Sequence, residues 1–242
     1  MLLFMQKIAI IIPCYNEERR LKESSLLELL NNNSVTLYLA NDGSRDKTLD
    51  ILTAFSLQNP ERCFVLNYTE NSGKANTVFK AINEVSSTNV YDYIGYFDAD
   101  FSTPADEVLR ILKELQIKRY PLIFGSRVLL LNSNINRKWQ RHIIGRVIIT
   151  LINFKFKLGV YDTQCGAKIF SKEIIPIAFS RPFFTSWLFD VEVFIRLKKQ
   201  NQLAQACEFP LKEWRDIEGS KLSWKTSFKI IKELYLLNKN YK

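Results

Sequence analysis

The sequence contains a single histidine, His142, and four cysteines, none of which forms a C-x-x-C pair with another. Zinc sites and disulfide scaffolds both need such residues at close spacing, so the pattern argues against both kinds of structure. The chain also has no G-x-S-x-G motif, which would present a nucleophilic serine on a sharp turn. Three of the cysteines lie in apolar runs, which predicts buried free thiols in a reducing compartment.

Long apolar runs are also missing. The stretch Ile143–Phe154 is interrupted by Arg146 and is too short to span a bilayer. The apolar start Met1–Met5 is too short for a signal peptide or an anchor, because Lys7 follows directly. We therefore expect a cytoplasmic protein that is soluble or lies peripherally on the cytoplasmic face of a membrane and has no transmembrane segment.

Acidic residues are absent between Lys118 and Leu158, although the chain as a whole has 25 of them and a net charge of +9. A basic block of this kind indicates an anionic partner or a solvated face. Nucleic acid, anionic lipid and phosphorylated substrates are all compatible with it at this level. The basic residues of this segment are Lys118, Arg119, Arg127, Arg137, Lys138, Arg141, Arg146, Lys155 and Lys157.

The first half of the chain alternates strand and helix signals. β-Branched and aromatic runs alternate with helical periodicity, and this order predicts an α/β fold: a mostly parallel sheet with helices on both faces and ligands beyond the carboxyl ends of the strands. We predict strands at Lys7–Pro13, Val35–Ala40, Arg62–Asn67, Tyr91–Phe97 and Pro121–Gly125. We predict helices at Glu17–Leu30, Asp46–Leu57 and Lys74–Val85, and a fourth that opens with Thr103 as its N-cap and Pro104 at its first position.

The second half is less regular. It predicts a helix over Asn136–Leu158 with a basic polar side, a strand ending at Phe170, a helix over Trp187–Lys199 and a strand over Cys207–Trp214. A last amphipathic helix follows Ser220. Its residues Trp224, Phe228, Ile231 and Tyr235 share one side. The first and last of these helices have the aromatic and basic make-up of interfacial helices, although both could instead cover the sheet with basic outer faces.

Acidic residues follow two of the predicted strands. Asp42 comes after the second strand, and Asp98 and Asp100 come after the fourth. Two carboxylates at i and i+2 point the same way if the chain is still extended. Such a pair suits a hard divalent cation, Mg²⁺ or Mn²⁺, that keeps positions open for substrate phosphates. A D-x-D pair alone is equally compatible with a solvated turn.

Eight short motifs in order resemble those of family 2 glycosyltransferases, which have the Rossmann-like GT-A fold. Four of them place the resemblance closest to the dolichyl-phosphate β-glucosyltransferases, which are relatives of the mannosyltransferases that act on the same lipid. The general motifs are Ile11–Glu17, Asn41–Asp46, Asn71–Lys74 and Asp98–Asp100. The four that sharpen the match are Gly125–Arg127, Asp162–Gly166, Trp187–Glu192 and Glu218–Lys221.

The resemblance implies a role for particular residues. It implies that Asp98 and Asp100 hold the metal. It also implies that Asp98, Asp100 and Asp190 are the catalytic residues. The residues implied to bind the nucleotide sugar are Pro13, Tyr15, Glu17, Asp42, Lys74, Asp98, Arg215 and Lys221. Arg127 and Arg141 are implied to bind the acceptor phosphate. Gly145 and Ser102 depart from the mannosyltransferase pattern, which has a serine and a side-chain amide at these positions.

The implied reaction is the inverting transfer of a hexose from a nucleotide sugar to a polyprenyl or dolichyl phosphate at the membrane surface. UDP-glucose is the expected donor, and a separate membrane protein is expected to use the product. A GDP-mannose donor and a non-lipid glycan acceptor are the alternatives, but the chain lacks the Q-x-x-R-W motif of many polysaccharide-making relatives. A nucleic-acid-binding protein, suggested faintly by Phe154–Lys157, would leave the three strand-end acids unexplained, so no nucleic acid is expected.

We expect one domain over residues 1–242. Residues 1 to about 125 would form the nucleotide-sugar half, residues 126–222 the acceptor half, and residues 223–242 a C-terminal amphipathic helix.

Overall fold

The computed structural model describes residues 6–136, 139–216 and 224–241, and for residues 139–141 and 224–228 it describes the backbone alone. The strands are β1 Ile8–Cys14, β2 Val35–Asp42, β3 Cys63–Tyr68, β4 Tyr93–Phe97, β5 Leu122–Ser126, β6 Asn134–Asn136, β7 Ala167–Ser171, β8 Cys207–Pro210 and β9 Glu213–Arg215. The helices are α1 Glu23–Leu30, α2 Thr48–Gln58, α3 Lys74–Ser87, α4 Ala105–Lys118, α5 Trp139–Phe156, α6 Ile175–Ala178, α7 Phe189–Lys199 and α8 Trp224–Asn240.

Seven strands form one mixed sheet in the order β3-β2-β1-β4-β7-β5-β8, and β6 pairs with β9 in a separate two-stranded ribbon. The first four strands are parallel to one another. β7 then lies antiparallel between β4 and β5. The four parallel strands therefore end along one edge, and the reversed strand β7 brings residues from the second half of the chain beside that edge.

Helices cover both faces of this sheet, as predicted. Ile8, Ile10 and Ile12 of β1 belong to the core on one face, which contains the apolar sides of α1, α2 and α4. Ala9 and Ile11 belong to the core on the other face, with residues of α3 and α5 to α8. A strand that is buried on both faces has a continuous run of apolar residues. For this reason apolar and polar residues do not alternate over Ile8–Ile12.

Several predicted element boundaries are wrong. The helix predicted from Asn136 begins at Trp139, because Asn136 belongs to β6. α1 begins at Glu23 rather than at Glu17, and the chain before it turns instead, with the amide of Arg20 donating to the carbonyl of Glu17. Pro104, with φ −59° and ψ 157°, is the N-cap of α4, so Thr103 lies one residue outside that position. The strand predicted over Cys207–Trp214 is two strands, because the chain leaves β5 after Pro210 and pairs with β6 from Glu213.

The buried side of the last helix is not the apolar side predicted from the sequence. Ile231 and Tyr235, which the sequence places on one apolar side, are 64% and 65% exposed. Ile230, Glu233 and Leu237 are buried instead. The side chains of Trp224 and Phe228 are outside the described part of the chain. The apolar side predicted for α8 therefore faces outward at the two positions that can be assessed.

α5 also exposes apolar residues. Ile149 and Ile152 are buried against the sheet, whereas Val147, Leu151 and Phe154 are exposed, Phe154 by 85%. The outer side of α5 is thus largely apolar rather than basic, which corrects the predicted pattern. Within the described ranges, no helix is both long enough and apolar enough to cross a membrane.

Candidate functional site

Two cavities lie at the carboxyl ends of the parallel strands and share the side chains of Lys74, Asp98 and Asp100. The first, of about 430 Å³, lies beyond β1 and β2. The second, of about 410 Å³, extends from β4 towards α5 and the start of α7. Seven of the residues predicted to bind the nucleotide sugar or the metal line the first cavity together: Pro13, Tyr15, Glu17, Asp42, Lys74, Asp98 and Asp100.

The chain turns sharply between the two acids that follow β4. The amide of Phe101 donates to the carbonyl of Asp98 over 3.1 Å, and Phe101 has φ +50°. The amide of Ser102 donates to Oδ1 of Asp100 over 2.9 Å. The chain is therefore not extended here, as the sequence-based argument assumed. Both carboxylates nevertheless line both cavities because the turn presents them from one point of the chain.

Asp98 has a close neighbour on each side. Lys74, at the start of α3, forms an ion pair with its carboxylate. Gly166, just before β7, leaves no room for a side chain, since a Cβ there would lie 1.9 Å from Oδ2 of Asp98. Gly166 belongs to a motif that the sequence analysis quoted, but its contact with Asp98 joins distant parts of the chain and could not be read from spacing.

Burial and the charges of neighbouring carboxylates raise the pKa of two acids of the first cavity. Burial raises the pKa of Glu17 to about 7, with the charges of Asp100 and Asp98 adding to the effect against the opposing charge of Arg20. Burial and then the charge of Asp98 raise the pKa of Asp100. A cation bound between Asp98 and Asp100 would relieve this repulsion.

The oxygen ligands available at this point fit a hard divalent cation. Asp98 and Asp100 offer carboxylate oxygens, the ligands that Mg²⁺ and Mn²⁺ prefer. Among the residues that the structure describes, no group of three or more histidine, cysteine or acidic side chains is arranged to hold a metal. The remaining ligands would therefore be water and the phosphates of a substrate, the usual situation for Mg²⁺ in phosphate-handling sites.

Two predicted nucleotide residues have well-defined surroundings in the first cavity. The carboxylate of Asp42 accepts hydrogen bonds from the amides of Ser72 and Gly73, each over 2.8 Å, and so fixes the loop that leads into α3. Glu17 accepts a hydrogen bond from Arg20 through Oε1, while its buried Oε2 has no hydrogen-bond partner among the described residues. An unpartnered buried acceptor beside the cavity suits a ligand that donates a hydrogen bond.

Two buried ion pairs lie at the wall of the second cavity, and three of their four members, Arg127, Asp162 and Asp190, line it. The guanidinium of Arg127 donates to both oxygens of Asp162, from Nε over 2.6 Å and from Nη2 over 2.8 Å. Although burial opposes it, this guanidinium holds the pKa of Asp162 well below its usual range. Asp190 pairs with Lys168 over 2.7 Å. Two of the guanidinium nitrogens of Arg127 are therefore already bonded to Asp162. The sequence analysis quoted Asp162 in a motif without giving it a role, and it did not single out Lys168.

The other predicted basic residues lie elsewhere or outside the description. Arg215 is exposed, pairs with Glu213 and lines neither cavity. The side chain of Arg141 and the whole of Lys221 are outside the described residues. Arg146 of α5 lines the second cavity, with its guanidinium 3.8 Å from the ring centroid of Tyr161. The sequence analysis counted Arg146 in the basic block without assigning it to the site.

The start of α7, which carries Asp190, is held by a residue of α8. The buried carboxylate of Glu233 accepts hydrogen bonds from the amides of Ser186, Trp187 and Leu188 and from the hydroxyl of Ser186. α7 has no side-chain cap of its own. Glu233 thus supplies from a distant helix the acceptor and the negative charge that a helix N-terminus needs.

Replacing Glu233 by glutamine is expected to destabilise the protein by about 3 kcal/mol, since one of its two acceptor oxygens becomes an amide that cannot accept from the buried amides. For a chain of this size the melting temperature would fall by roughly 6–12 °C. Thermal unfolding followed by circular dichroism measures the change. Glu61→Gln, at an exposed position, is the matched control. Equal melting temperatures for the two variants would contradict the assigned capping role.

Residues 9–176 match the family model for glycosyl transferase family 2, which covers more than half of the chain. The chain therefore belongs to this family of glycosyltransferases. It is similar to dolichyl-phosphate beta-glucosyltransferase ALG5A of Trichomonas vaginalis, with 28% identity over 94% of this chain and 71% of that protein. The human dolichyl-phosphate beta-glucosyltransferase is 27% identical over 90% of this chain and 70% of its own length.

Solved structures with the same architecture are also glycosyltransferases of the GT-A fold. Glucosyl-3-phosphoglycerate synthase from Mycobacterium tuberculosis, in complex with Mn²⁺ and UDP-glucose, matches with a TM-score of 0.70, 16% identity and coverage of 96% of this chain and 78% of that chain. A mannosyltransferase from Pyrobaculum calidifontis in complex with GDP-Man and Mn²⁺ matches with a TM-score of 0.60 and 15% identity over 96% of this chain and 62% of that chain. The predicted fold class is confirmed.

Proposed function

We propose that this glycosyltransferase moves glucose from UDP-glucose to a polyprenyl phosphate, such as dolichyl phosphate, with inversion at the anomeric carbon. The observation that carries this proposal is the meeting of two cavities at Lys74, Asp98 and Asp100. A donor in the first cavity and an acceptor in the second would then react across those side chains. The names of the curated relatives support glucose and dolichyl phosphate, and the UDP-glucose complex of a similar fold supports the donor.

The chemistry requires little proton transfer. The second pKa of a phosphate monoester is about 6, so the acceptor is already a dianion at pH 7. One of its oxygens would attack C1 of the glucose while the bond from C1 to the diphosphate breaks and UDP leaves with the electron pair. Attack from the opposite side turns an α-linked donor into a β-linked product.

The residues of the site would supply charge and position. A divalent cation held by Asp98 and Asp100, Mg²⁺ or Mn²⁺, would neutralise the diphosphate of the leaving group. Lys74 lies beside both cavities and would pair with a phosphate once Asp98 binds the cation. Arg127 and Arg146 would attract the acceptor phosphate into the second cavity, and Arg141, Arg215 and Lys221 keep their predicted phosphate-binding roles as part of the proposal.

α5 connects the second cavity to a membrane surface in this proposal. Its inner side contributes Gly145, Arg146 and Ile149 to the cavity wall. Its outer side exposes Val147 and Leu151 in a segment without acids. An apolar side flanked by basic residues suits an anionic lipid surface. A polyprenyl chain could then stay in the bilayer while its phosphate enters the cavity.

The buried free cysteines bear on the cellular location. Cys14, Cys63 and Cys165 are buried free thiols, and burial raises the pKa of Cys165 to about 11. Free thiols of this kind suit a reducing compartment. We therefore place the reaction on the cytoplasmic face of a membrane, with a separate membrane protein as the user of the glucosylated lipid.

The reaction is tested with purified protein, Mn²⁺ or Mg²⁺, a short-chain polyprenyl phosphate in detergent and a panel of UDP- and GDP-sugars. We expect chloroform-soluble label from UDP-glucose and a β linkage in the product by NMR. Transfer from GDP-mannose alone would overturn the donor assignment. A parallel assay offers a water-soluble glycan as the acceptor. Label that appears only in that glycan would overturn the acceptor assignment, and an α-linked product would overturn inversion.

Membrane contact is tested by Phe154→Ser. We expect this substitution to weaken binding to vesicles of phosphatidylcholine and phosphatidylserine about tenfold. The reason is that the exposed phenyl ring no longer contributes apolar area that membrane binding removes from water. Co-sedimentation with vesicles measures the affinity. Leu57→Ser is the control, since Leu57 is 75% exposed but lies on α2, against the other face of the sheet. Equal binding by both variants would remove α5 from the membrane interface.

A further inference from the structure

Lys168 is a charged side chain in the middle of the sheet. It belongs to β7 and is 0% exposed. Moving an ammonium group from water into a protein interior costs several kcal/mol even after relaxation, so a buried lysine needs a partner of opposite charge and good hydrogen bonds. Replacement of such a pair by apolar residues is often neutral or stabilising, which makes a buried pair weak evidence for a purely structural role.

The charged partner of Lys168, Asp190, lines the second cavity. Its Nζ is 2.7 Å from Oδ1 of Asp190 and donates to the carbonyl of Cys165 over 2.5 Å. Tyr96 stands directly opposite Lys168 on β4, and its hydroxyl donates to the same oxygen of Asp190. Two donors from neighbouring strands therefore fix one oxygen of a carboxylate that belongs to α7.

The other oxygen of Asp190 remains for the cavity. Among the described residues, the hydrogen bond from Tyr96 and the ion pair with Lys168 both use Oδ1. Asp190 lines the second cavity together with Lys74, Asp98 and Asp100. In a reaction across these residues, the transferred sugar lies between the diphosphate and the acceptor. The hydroxyl groups of that sugar are hydrogen-bond donors of the kind that an oriented carboxylate binds strongly.

We propose that Lys168 is a positioning residue, which holds Asp190 turned so that Oδ2 accepts a hydrogen bond from a hydroxyl of the transferred sugar. Tyr96 assists by donating to Oδ1. The inference rests on the proposed function, because it requires that the donor's sugar reach the second cavity. It assigns to the fully buried Lys168 a contribution to sugar binding that it makes without touching the sugar.

The test separates sugar binding from nucleotide binding. Titration calorimetry in the presence of Mn²⁺ and without any acceptor gives dissociation constants for UDP-glucose and for UDP. We expect Lys168→Met to weaken UDP-glucose about tenfold, the effect of one hydrogen bond to a charged group, and to change UDP less than twofold. Asp190→Asn should act in the same way, and the double variant should be no weaker than Asp190→Asn alone, since the two residues act as one unit.

The matched control is Lys172→Met, an exposed lysine near the other end of β7 that pairs with Asp92. It should leave both constants unchanged. If Lys168→Met does not fold, Tyr96→Phe removes one donor to Asp190 and keeps the charge, and it should weaken UDP-glucose several-fold with UDP unaffected. Equal weakening of UDP and UDP-glucose by the folded variants would overturn the positioning role, as would no change in either. Failure of the wild type to bind UDP-glucose would instead refute the proposed donor.

Discussion

Gly166→Ala is expected to reduce glucosyl transfer about a thousandfold while the protein still folds. The added methyl group would lie 1.9 Å from Oδ2 and 2.3 Å from Cγ of Asp98, distances much shorter than the contacts that real Cβ atoms make. Asp98 must therefore move. Its departure would separate it from Lys74 and would spoil the geometry of the acids proposed to hold the cation, on which charge stabilisation of the leaving group depends.

The measurement is the rate of transfer from UDP-glucose, together with the concentration of Mn²⁺ or Mg²⁺ that gives half of the maximal rate. The substitution should raise this concentration as well as lower the rate, because Asp98 is one of the two proposed ligands. Gly159→Ala is the control. It adds the same methyl group at a position with no atom within 4 Å, at a backbone φ of +71° that itself costs about 1 kcal/mol of stability. A rate for Gly166→Ala within tenfold of the control would falsify the steric argument.

Asp100→Asn is expected to lower the transfer rate by a factor of about a thousand, which corresponds to roughly 4 kcal/mol of lost transition-state stabilisation. The amide has the same size and can still accept the hydrogen bond from the amide of Ser102. It lacks the charge. The substitution therefore isolates the electrostatic role of Asp100 towards a cation from its part in the turn.

Metal titration identifies this role. The wild type should be inactive after treatment with a chelator and should regain activity with Mn²⁺ or Mg²⁺, whereas Asp100→Asn should show little response to either ion. Asp106→Asn is the control, since Asp106 is an exposed acid at the start of α4. Full metal-stimulated activity in Asp100→Asn would show that the cation is bound elsewhere or is not required.

The sequence alone predicts which acids meet at the first cavity. Apolar runs that end in acids locate β2 and β4, and the parallel order brings their carboxyl ends together. For this reason Asp42 lines the same cavity as Asp98 and Asp100, although it is far from them in the chain. Glu17 lines this cavity too, but its prediction rests on the family resemblance and not on a local pattern, and the ligands of these residues are part of the proposal.

The acceptor side depends on contacts that no local pattern reveals. The apolar residues of α8 occupy two sides, and the buried one carries Glu233, whose partners lie around residues 186–188. The closeness of Gly166 to Asp98 and the pairing of Arg127 with Asp162 are likewise contacts between distant segments. Lys168 has an unremarkable place in the sequence, and its burial follows only from the position of β7 between β4 and β5.

The attachment of α8 to the start of α7 has a consequence for biosynthesis. The four parallel strands and their connecting helices use neighbouring segments, so the donor side can assemble while the chain is still emerging from the ribosome. The loop before Asp190 cannot form its hydrogen bonds to Glu233 until that residue, more than forty positions further on, has been synthesised. Tyr241, which bonds to Arg196 and Glu192, is synthesised later again. The cavity beyond β1 and β2, to which the proposal assigns the nucleotide, would therefore form before the second cavity, and the surroundings of Asp190 would be completed late in folding.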